Sequence, residues 1–231
     1  MASFLPDVIK LNRRYKLLEK RQRIILAVSG GVDSLAIART LWEYRKTIDP
    51  ELGLQAVYVK IDQISLTEVE IERIRDFLSG MNIPLMVVPG KLDKVKTVSC
   101  YACARERRKR LFLTAAEQNI DTVAFGHNLD DYMETGFLNL VHGGHLESLQ
   151  PRQSMFKGEI TVIRPLLSVS KKHIGHLAKY HQFPKVQSEC PYASDNRRES
   201  IRKTMRELQR LNRAFLPNLR NAINRWNDLA I

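Results

Sequence analysis

The chain has 231 residues, enough to bury one substantial core with length left for an appendage. Lysine and arginine number 37 against 25 acids, a formal charge of +12, and such a surplus points to a polyanionic partner larger than a nucleotide. No stretch of about eighteen uncharged apolar residues occurs and residues 1–20 lack a signal-type apolar core, so a cytoplasmic protein without a membrane span is expected; three cysteines, an odd number in a reducing compartment, exclude a disulfide scaffold.

In chain order, Met1–Lys20 reads as a mainly amphipathic helix. Ile24–Val28, Leu54–Ile61, Leu85–Val88, Thr122–Phe125 and Ile160–Ile163 are apolar runs bounded by turn residues and read as strands. Between them Ser34–Lys46, Leu66–Met81, Tyr101–Asn119 and Asp130–Val141 repeat apolar residues every three or four positions, as helices do. This alternation predicts an α/β fold of Rossmann-like type, a parallel sheet with helices on both faces. Lys171–His181, Asp195–Asn212 and Leu216–Leu229 follow as three helical patterns punctuated by Pro184, Pro191 and Pro217. The expected organisation is an N-terminal helix over residues 1–20, a nucleotide-binding domain over 21–170 and a helical extension over 171–231 packed on it. An apolar face on the first or last helix offers a homodimer contact.

The first strand runs into Ser29-Gly30-Gly31-Val32-Asp33-Ser34. Backbone N–H groups at such a turn converge, and the following helix N-terminus adds partial positive charge, so the loop suits phosphate. Gly30 and Gly31 let the backbone approach an anion, and Ser29 and Ser34 carry hydroxyl donors. Asp33 would repel bare phosphate, which suggests a bridging Mg²⁺ or an N-cap role. The loop lacks the lysine of Gly-x-x-x-x-Gly-Lys-Ser/Thr sites. Ligands of parallel sheets bind beyond the strands' carboxyl ends, and Lys60 to Gln63, Gly126-His127 and Arg164-Pro165 all follow strands, so they should gather on the same rim.

Cys100-Tyr-Ala-Cys103 opens a predicted helix, where residues three apart share a face and the helix dipole favours thiolates. Cys190 sits between Pro184 and Pro191. Three thiolates leave one iron of a [4Fe–4S] cluster, or one position of a zinc, without a protein ligand. A redox pair, half-buried thiols, and zinc completed by His173 or His127 are the open alternatives. Two basic clusters, Arg105 to Arg110 and Arg197 to Arg213, are either a polyanion-binding surface or solvated helix faces.

The glycine turn resembles the PP-loop of the ATP pyrophosphatases. Asp62-Gln63, Cys100-x-x-Cys103 with Arg105 and Arg107-Arg108, Gly126-His127-x-x-Asp130-Asp131-x-x-Glu134-Thr135, Asn139-Leu140, Gly143-Gly144 and Ile163-Arg164-Pro165-Leu166 follow it in order. Together they resemble the tRNA 2-thiocytidine synthetase-like branch over residues 20–205, with the iron–sulfur tRNA 2-thiouridine synthetases behind it. The chain departs from the branch at Asn128, where a second histidine is common, and at Tyr192-Ala193-Ser194, where a further cysteine is common.

The resemblance implies ATP-dependent tRNA thiolation, in which a base carbonyl oxygen is adenylated and then replaced by sulfur. It implies ATP, Mg²⁺ and a [4Fe–4S] cluster on Cys100, Cys103 and Cys190, with tRNA and a sulfur donor, sulfide or a cysteine-desulfurase persulfide, as partners. Ser29, Gly30, Gly31, Asp33 and Ser34 would hold pyrophosphate, and backbone around Ala27, Val59 and Ile61 would frame adenine. Gly126 and His127 would lie against phosphate, Arg164 would stabilise phosphate charge, and Asp130 and Asp131 would meet Mg²⁺. Capping of the following helix stays open, for Asp130 before Asp131, and Glu134 has a structural ion pair as its alternative. Tyr101 and Tyr192 are candidates to stack on a base or simply to pack. The competing functions are an amidating or lysidine-type PP-loop enzyme and a non-catalytic ATP- or RNA-binding module.

Overall fold

The computed structural model describes residues 3–61, 64–92, 100–186 and 197–231. The expected roles of Asp62, Gln63, Cys190 and Tyr192 fall outside these residues. The first half of the chain alternates β1 (Arg23–Ala27), α2 (Val32–Thr47), β2 (Gly53–Ile61), α3 (Glu68–Ser79), β3 (Leu85–Gly90) and α4 (Cys100–Glu117), after a leading α1 (Leu5–Tyr15). The second half runs β4 (Thr122–Ala124), α5 (Leu129–Gly143), β5 (Arg152–Met155), β6 (Ile160–Ile163), α6 (Lys171–Tyr180), α7 (Arg197–Leu211) and α8 (Phe215–Asn227).

Six strands form one sheet in the order β3-β2-β1-β4-β6-β5. Five are parallel, and the edge strand β5 runs antiparallel to β6. β5 corrects the all-parallel expectation: its residues Arg-Gln-Ser-Met are mostly exposed and polar, so no apolar run announces it. A 3-10 turn at Phe156–Gly158, with φ positive at all three residues, returns the chain into β6.

The period-two alternation of the strands sorts their side chains between two cores. Ile24 and Leu26 of β1, with Leu54, Ala56 and Tyr58 of β2, face the larger core, which also takes apolar residues of α1, α2, α3, α5, α6, α7 and α8. Ile25, Val57, Val59 and Ile61 face the other side, where Leu111 and Ala115 of α4 cover them. Helices therefore cover both faces, as the alternation predicted.

Trp226 of α8 stays exposed, while Val8 and Leu11 of α1 and Leu219 and Ile223 of α8 are buried in that larger core. Each such side chain contributes about 1.5–3 kcal/mol on burial. Gly136 on α5 brings α8 close: a Cβ there would stand 2.6 Å from Ile223 Cδ1. Tyr132 Oη donates to Asn224 Oδ1 at 2.9 Å across the same seam. No helix among the described residues is long and apolar enough to cross a membrane.

The start of α5 is capped by Asn128, wholly buried, whose Oδ1 accepts from the N–H groups of Asp130 at 2.9 Å and Asp131 at 3.2 Å. Asp131 Oδ2 reciprocates by accepting from Asn128 N–H at 3.1 Å. Asn128→Ala removes the one oxygen that accepts both of these hydrogen bonds and should lower unfolding free energy by about 1–2 kcal/mol in urea titration.

Candidate active site

Between β1 and β4 the strand order reverses direction, and at this switch point the carboxyl ends of the parallel strands open a crevice. A cleft of about 810 Å³ occupies it. Its walls carry Ala27, Ser29, Asp33 and Ser34 from the glycine turn, Val57 to Val59 from β2, and Cys100 and Cys103 from α4. Gly126, His127, Asp131, Arg164 and Arg198 complete it from the β4, β6 and α7 side. Residues separated by more than 170 positions in the sequence thus meet on the rim that the strand ends define.

The turn is shaped by Gly30, at φ +83°, where a Cβ would also press on Leu66 Cδ1 at 2.7 Å. Gly31 has an ordinary φ of −68° and is itself the N-cap of α2. Asp33 is therefore inside the first turn, and its N-cap alternative is set aside. Ser34 Oγ donates to Gly31 O at 2.7 Å and accepts from Ser29 N–H at 3.2 Å, so that hydroxyl braces the loop. Ser34 N–H already donates to Gly31 O at 3.0 Å, which leaves the N–H groups of Val32 and Asp33 as the free donors of the first turn of α2, where the helix dipole favours an anion. Gly126 lets β4 exit against this turn, since a Cβ there would stand 2.6 Å from Asp33 O.

Asp33 Oδ2 lies 3.6 Å from Lys171 Nζ, a pairing unforeseen in the sequence, while Oδ1 is buried without a hydrogen-bond partner. Asp131 sits near enough for the Asp33 charge to act on it; burial first, then Asp33 and Glu134, raise its pKa. Asp130 does not line the cleft: its Oδ2 accepts from Lys171 N–H at 2.7 Å, capping α6 rather than α5. The reciprocal cap of α5 belongs to Asp131 instead. Glu134 pairs with Arg202 at 2.7 Å, tying α5 to α7, and so takes its structural alternative. Ile61, buried at the end of β2, does not line the cleft either; Val57 to Val59 and Ala27 do.

His127 stacks on Phe125, ring centroids 5.6 Å apart at 27°. Burial, then the charges of Arg164, Arg198 and Arg108, push its pKa down to about 3, so the ring is neutral. The unfolded chain takes up this proton near pH 6.5 and the folded chain does not until about pH 3, so stability is lost as pH falls through that window. In urea titrations at pH 7 and pH 5, His127→Gln should remove up to about 1.4 kcal/mol per pH unit of this acid-side loss. Arg164, only 7 % exposed, donates to Gln150 O at 2.6 Å and Gln153 Oε1 at 3.1 Å. Its burial and the nearby Arg108 lower its pKa to about 10, leaving it cationic at neutral pH.

Cys100 is exposed at the first position of α4 and Cys103 half-buried one turn later, both on the cleft wall. Thiolates there gain from the helix dipole. Two sulfurs on one helical face suit a metal's donor set, the third expected ligand, Cys190, lying outside the described residues. Among those described, no three His, Cys, Asp or Glu side chains gather as a metal group. Tyr101, between the cysteines, is exposed at the cleft mouth.

A family model described as a PP-loop domain matches residues 6–208. Among curated proteins the chain is similar to the tRNA-cytidine(32) 2-sulfurtransferase of Alkalilimnicola ehrlichii, 29% identical over 221 residues that cover 91% of this chain and 69% of that protein. It is also similar to tRNA-cytidine(32) 2-sulfurtransferase 1 of Francisella philomiragia, 28% identical and covering 91% of this chain and 84% of that one. Among solved structures, the U34-tRNA thiolase NcsA of Methanococcus maripaludis, with its [4Fe-4S] cluster, superposes with a TM-score of 0.80. That match, at 23% identity, covers 98% of this chain and 80% of the other, and it is a likeness of fold.

Proposed function

The chain belongs to the PP-loop domain family, and on that premise we propose that it is an ATP-dependent tRNA sulfurtransferase that replaces a base carbonyl oxygen with sulfur, giving 2-thiocytidine. The observation that carries this reading is a single cleft lined by both the glycine turn and the Cys100–Cys103 pair. The names of the curated relatives support tRNA thiolation as the reaction class.

Oxide is a poor leaving group, so the base oxygen first attacks the α-phosphorus of ATP and pyrophosphate departs. Sulfur then adds to the activated carbon, and AMP leaves carrying the original oxygen. In this scheme the first-turn N–H groups of α2 receive the pyrophosphate charge, braced by Ser29 and Ser34. Ala27 and Val59 frame the adenine at the ends of β1 and β2.

The orphaned Asp33 Oδ1 and the neighbouring Asp131 are donors that fit a hard cation. Mg²⁺ held there would neutralise charge on the departing pyrophosphate. Cys100, Cys103 and Cys190 would hold a [4Fe–4S] cluster, which supplies an iron position open to sulfur. The neutral His127 and cationic Arg164 orient phosphate oxygens by hydrogen bonding and charge.

Nucleosides from the tRNA of cells with and without the protein, separated by mass spectrometry, test the proposal. One thionucleoside should vanish with the gene and return with it. An unchanged thionucleoside profile overturns the reading.

A further inference from the structure

The glycine turn, Ser29 to Ser34, carries no lysine, and its one charged residue, Asp33, is an anion. If it serves ATP, a carboxylate stands against a triphosphate, and Asp131 on the same cleft wall adds a second. A cation that answers Asp33 arrives from far along the chain: Lys171 Nζ, on the first residue of α6, lies 3.6 Å from Asp33 Oδ2. Resting on the reading of the glycine turn as an ATP site, we propose that Lys171 is a ligand of the triphosphate, binding the two phosphates that leave as pyrophosphate.

The backbone of Lys171 is fixed while its ammonium is not. Its N–H donates to Asp130 Oδ2 at 2.7 Å, and Ser170 Oγ caps α6 by accepting from His173 N–H at 3.5 Å. Ile174 and Leu177 of α6 are buried in the same core as Leu35 and Ala38 of α2, so the helix that carries the lysine is seated on the helix that the turn opens. The Lys171 side chain, by contrast, is 59 % exposed, and its distance to Asp33 is longer than a hydrogen bond. Asp33 is its one ion-pair partner among the described residues. A pair that open and that long contributes little as a structural tie, unlike Arg202 and Glu134 at 2.7 Å.

The charge of Lys171 also acts on Asp131, lowering its pKa against the larger effect of burial, so the ammonium stands near two carboxylates of the cleft wall. Lys171 itself stays outside the cleft lining, and its flexible four-carbon stem lets the ammonium pass from Asp33 to a phosphate oxygen without moving α6. The two oxygens of Asp33 then have separate tasks. Oδ2 holds the ammonium beside the turn, and Oδ1, buried without a hydrogen-bond partner, is the oxygen left for Mg²⁺. With adenine framed by Ala27 and Val59, the part of ATP set against the first turn of α2 is the pyrophosphate. AMP, which lacks it, does not reach the ammonium.

The test titrates the full chain by calorimetry with three ligands in the presence of Mg²⁺: an ATP analogue with a methylene bridge between its α- and β-phosphorus, pyrophosphate, and AMP. Lys171→Met keeps the apolar stem and removes the charge at an exposed site, with circular dichroism as the check on folding and Lys171→Gln as the second variant. Either should weaken the analogue and pyrophosphate about tenfold, the loss of one charge-assisted contact, and leave AMP within about twofold. Lys172→Met removes the same charge from the neighbouring exposed residue and should leave all three ligands within about twofold of the parent. Parent-like or tighter binding of the analogue by the Lys171 variants overturns the proposal, tighter binding being the mark of an ammonium that merely competes for Asp33. An equal loss for AMP, or an equal loss in Lys172→Met, overturns it as well. A parent chain that binds neither the analogue nor pyrophosphate overturns the ATP site itself.

Discussion

Alanine at Cys100 or Cys103 is expected to abolish thionucleoside formation while leaving ATP binding in place. Cys100 is exposed at the first turn of α4, so its thiol supports little packing; Cys103 touches the smaller core at its edge, and its truncation should cost about 1 kcal/mol of stability. Both cysteines lie on α4, whereas the donors proposed for phosphate open α2. The loss therefore falls on sulfur handling, and the same outcome is expected for Cys190→Ala. Three measurements separate the effects: thionucleoside yield with purified protein and tRNA, iron and acid-labile sulfide in anaerobically purified chains, and the Kd of an ATP analogue. The expected pattern is no thionucleoside, depleted iron and sulfide, and an unaltered Kd. A Cys100→Ala chain with full thiolation and unchanged iron content would make the two cysteines a structural pair and leave an amidating PP-loop enzyme as the better reading.

The parts of this site that were legible in the sequence are those whose chemistry is local. A strand of Ile and Leu, a glycine at positive φ and a helix start make the glycine turn within a dozen residues, and the Cys-x-x-Cys spacing places two sulfurs on one helical face without reference to the rest of the fold. β5 was invisible because an edge strand buries too little to need an apolar pattern; what holds it is main-chain pairing to β6. The capping order of the two aspartates is hidden from the sequence for a related reason. Asp130 and Asp131 look alike at the head of α5, and only the arrival of α6, forty residues later, turns Asp130 outward to Lys171 while Asp131 closes on Asn128. The same arrival sets Lys171 beside Asp33. The arginines of the cleft wall are legible as charge but not as neighbours, since Arg108, Arg164 and Arg198 lie up to ninety residues apart. Strand order, not periodicity, brings them together.

Strand order also sets one glycine tightly between β4 and the turn that opens α2, and its replacement should be as damaging to ATP binding as the cysteine changes are to sulfur transfer. Gly126 leaves β4 directly against the first turn of α2: an added Cβ would stand 2.6 Å from Asp33 O, 2.8 Å from Asp33 C and 3.0 Å from Ser34 N. All three neighbours are backbone, so no side chain can rotate away, and either the β4 exit or the glycine turn must move. Overpacking of this kind costs about 1–3 kcal/mol of stability. The larger consequence is geometric, because a shift of about 1 Å in pre-aligned groups can cost a hundredfold in function. Gly126→Ala is expected to weaken the ATP analogue by about ten- to a hundredfold in calorimetry and to lower the melting temperature. Gly175→Ala, inside α6 where an added Cβ meets nothing within 4 Å, should instead stabilise the chain by up to about 1 kcal/mol and leave the analogue's affinity alone. Equal behaviour of the two variants would mean that the contact between Gly126 and the turn does not govern nucleotide binding, and the nucleotide's place in the cleft would then have to be sought away from the start of α2.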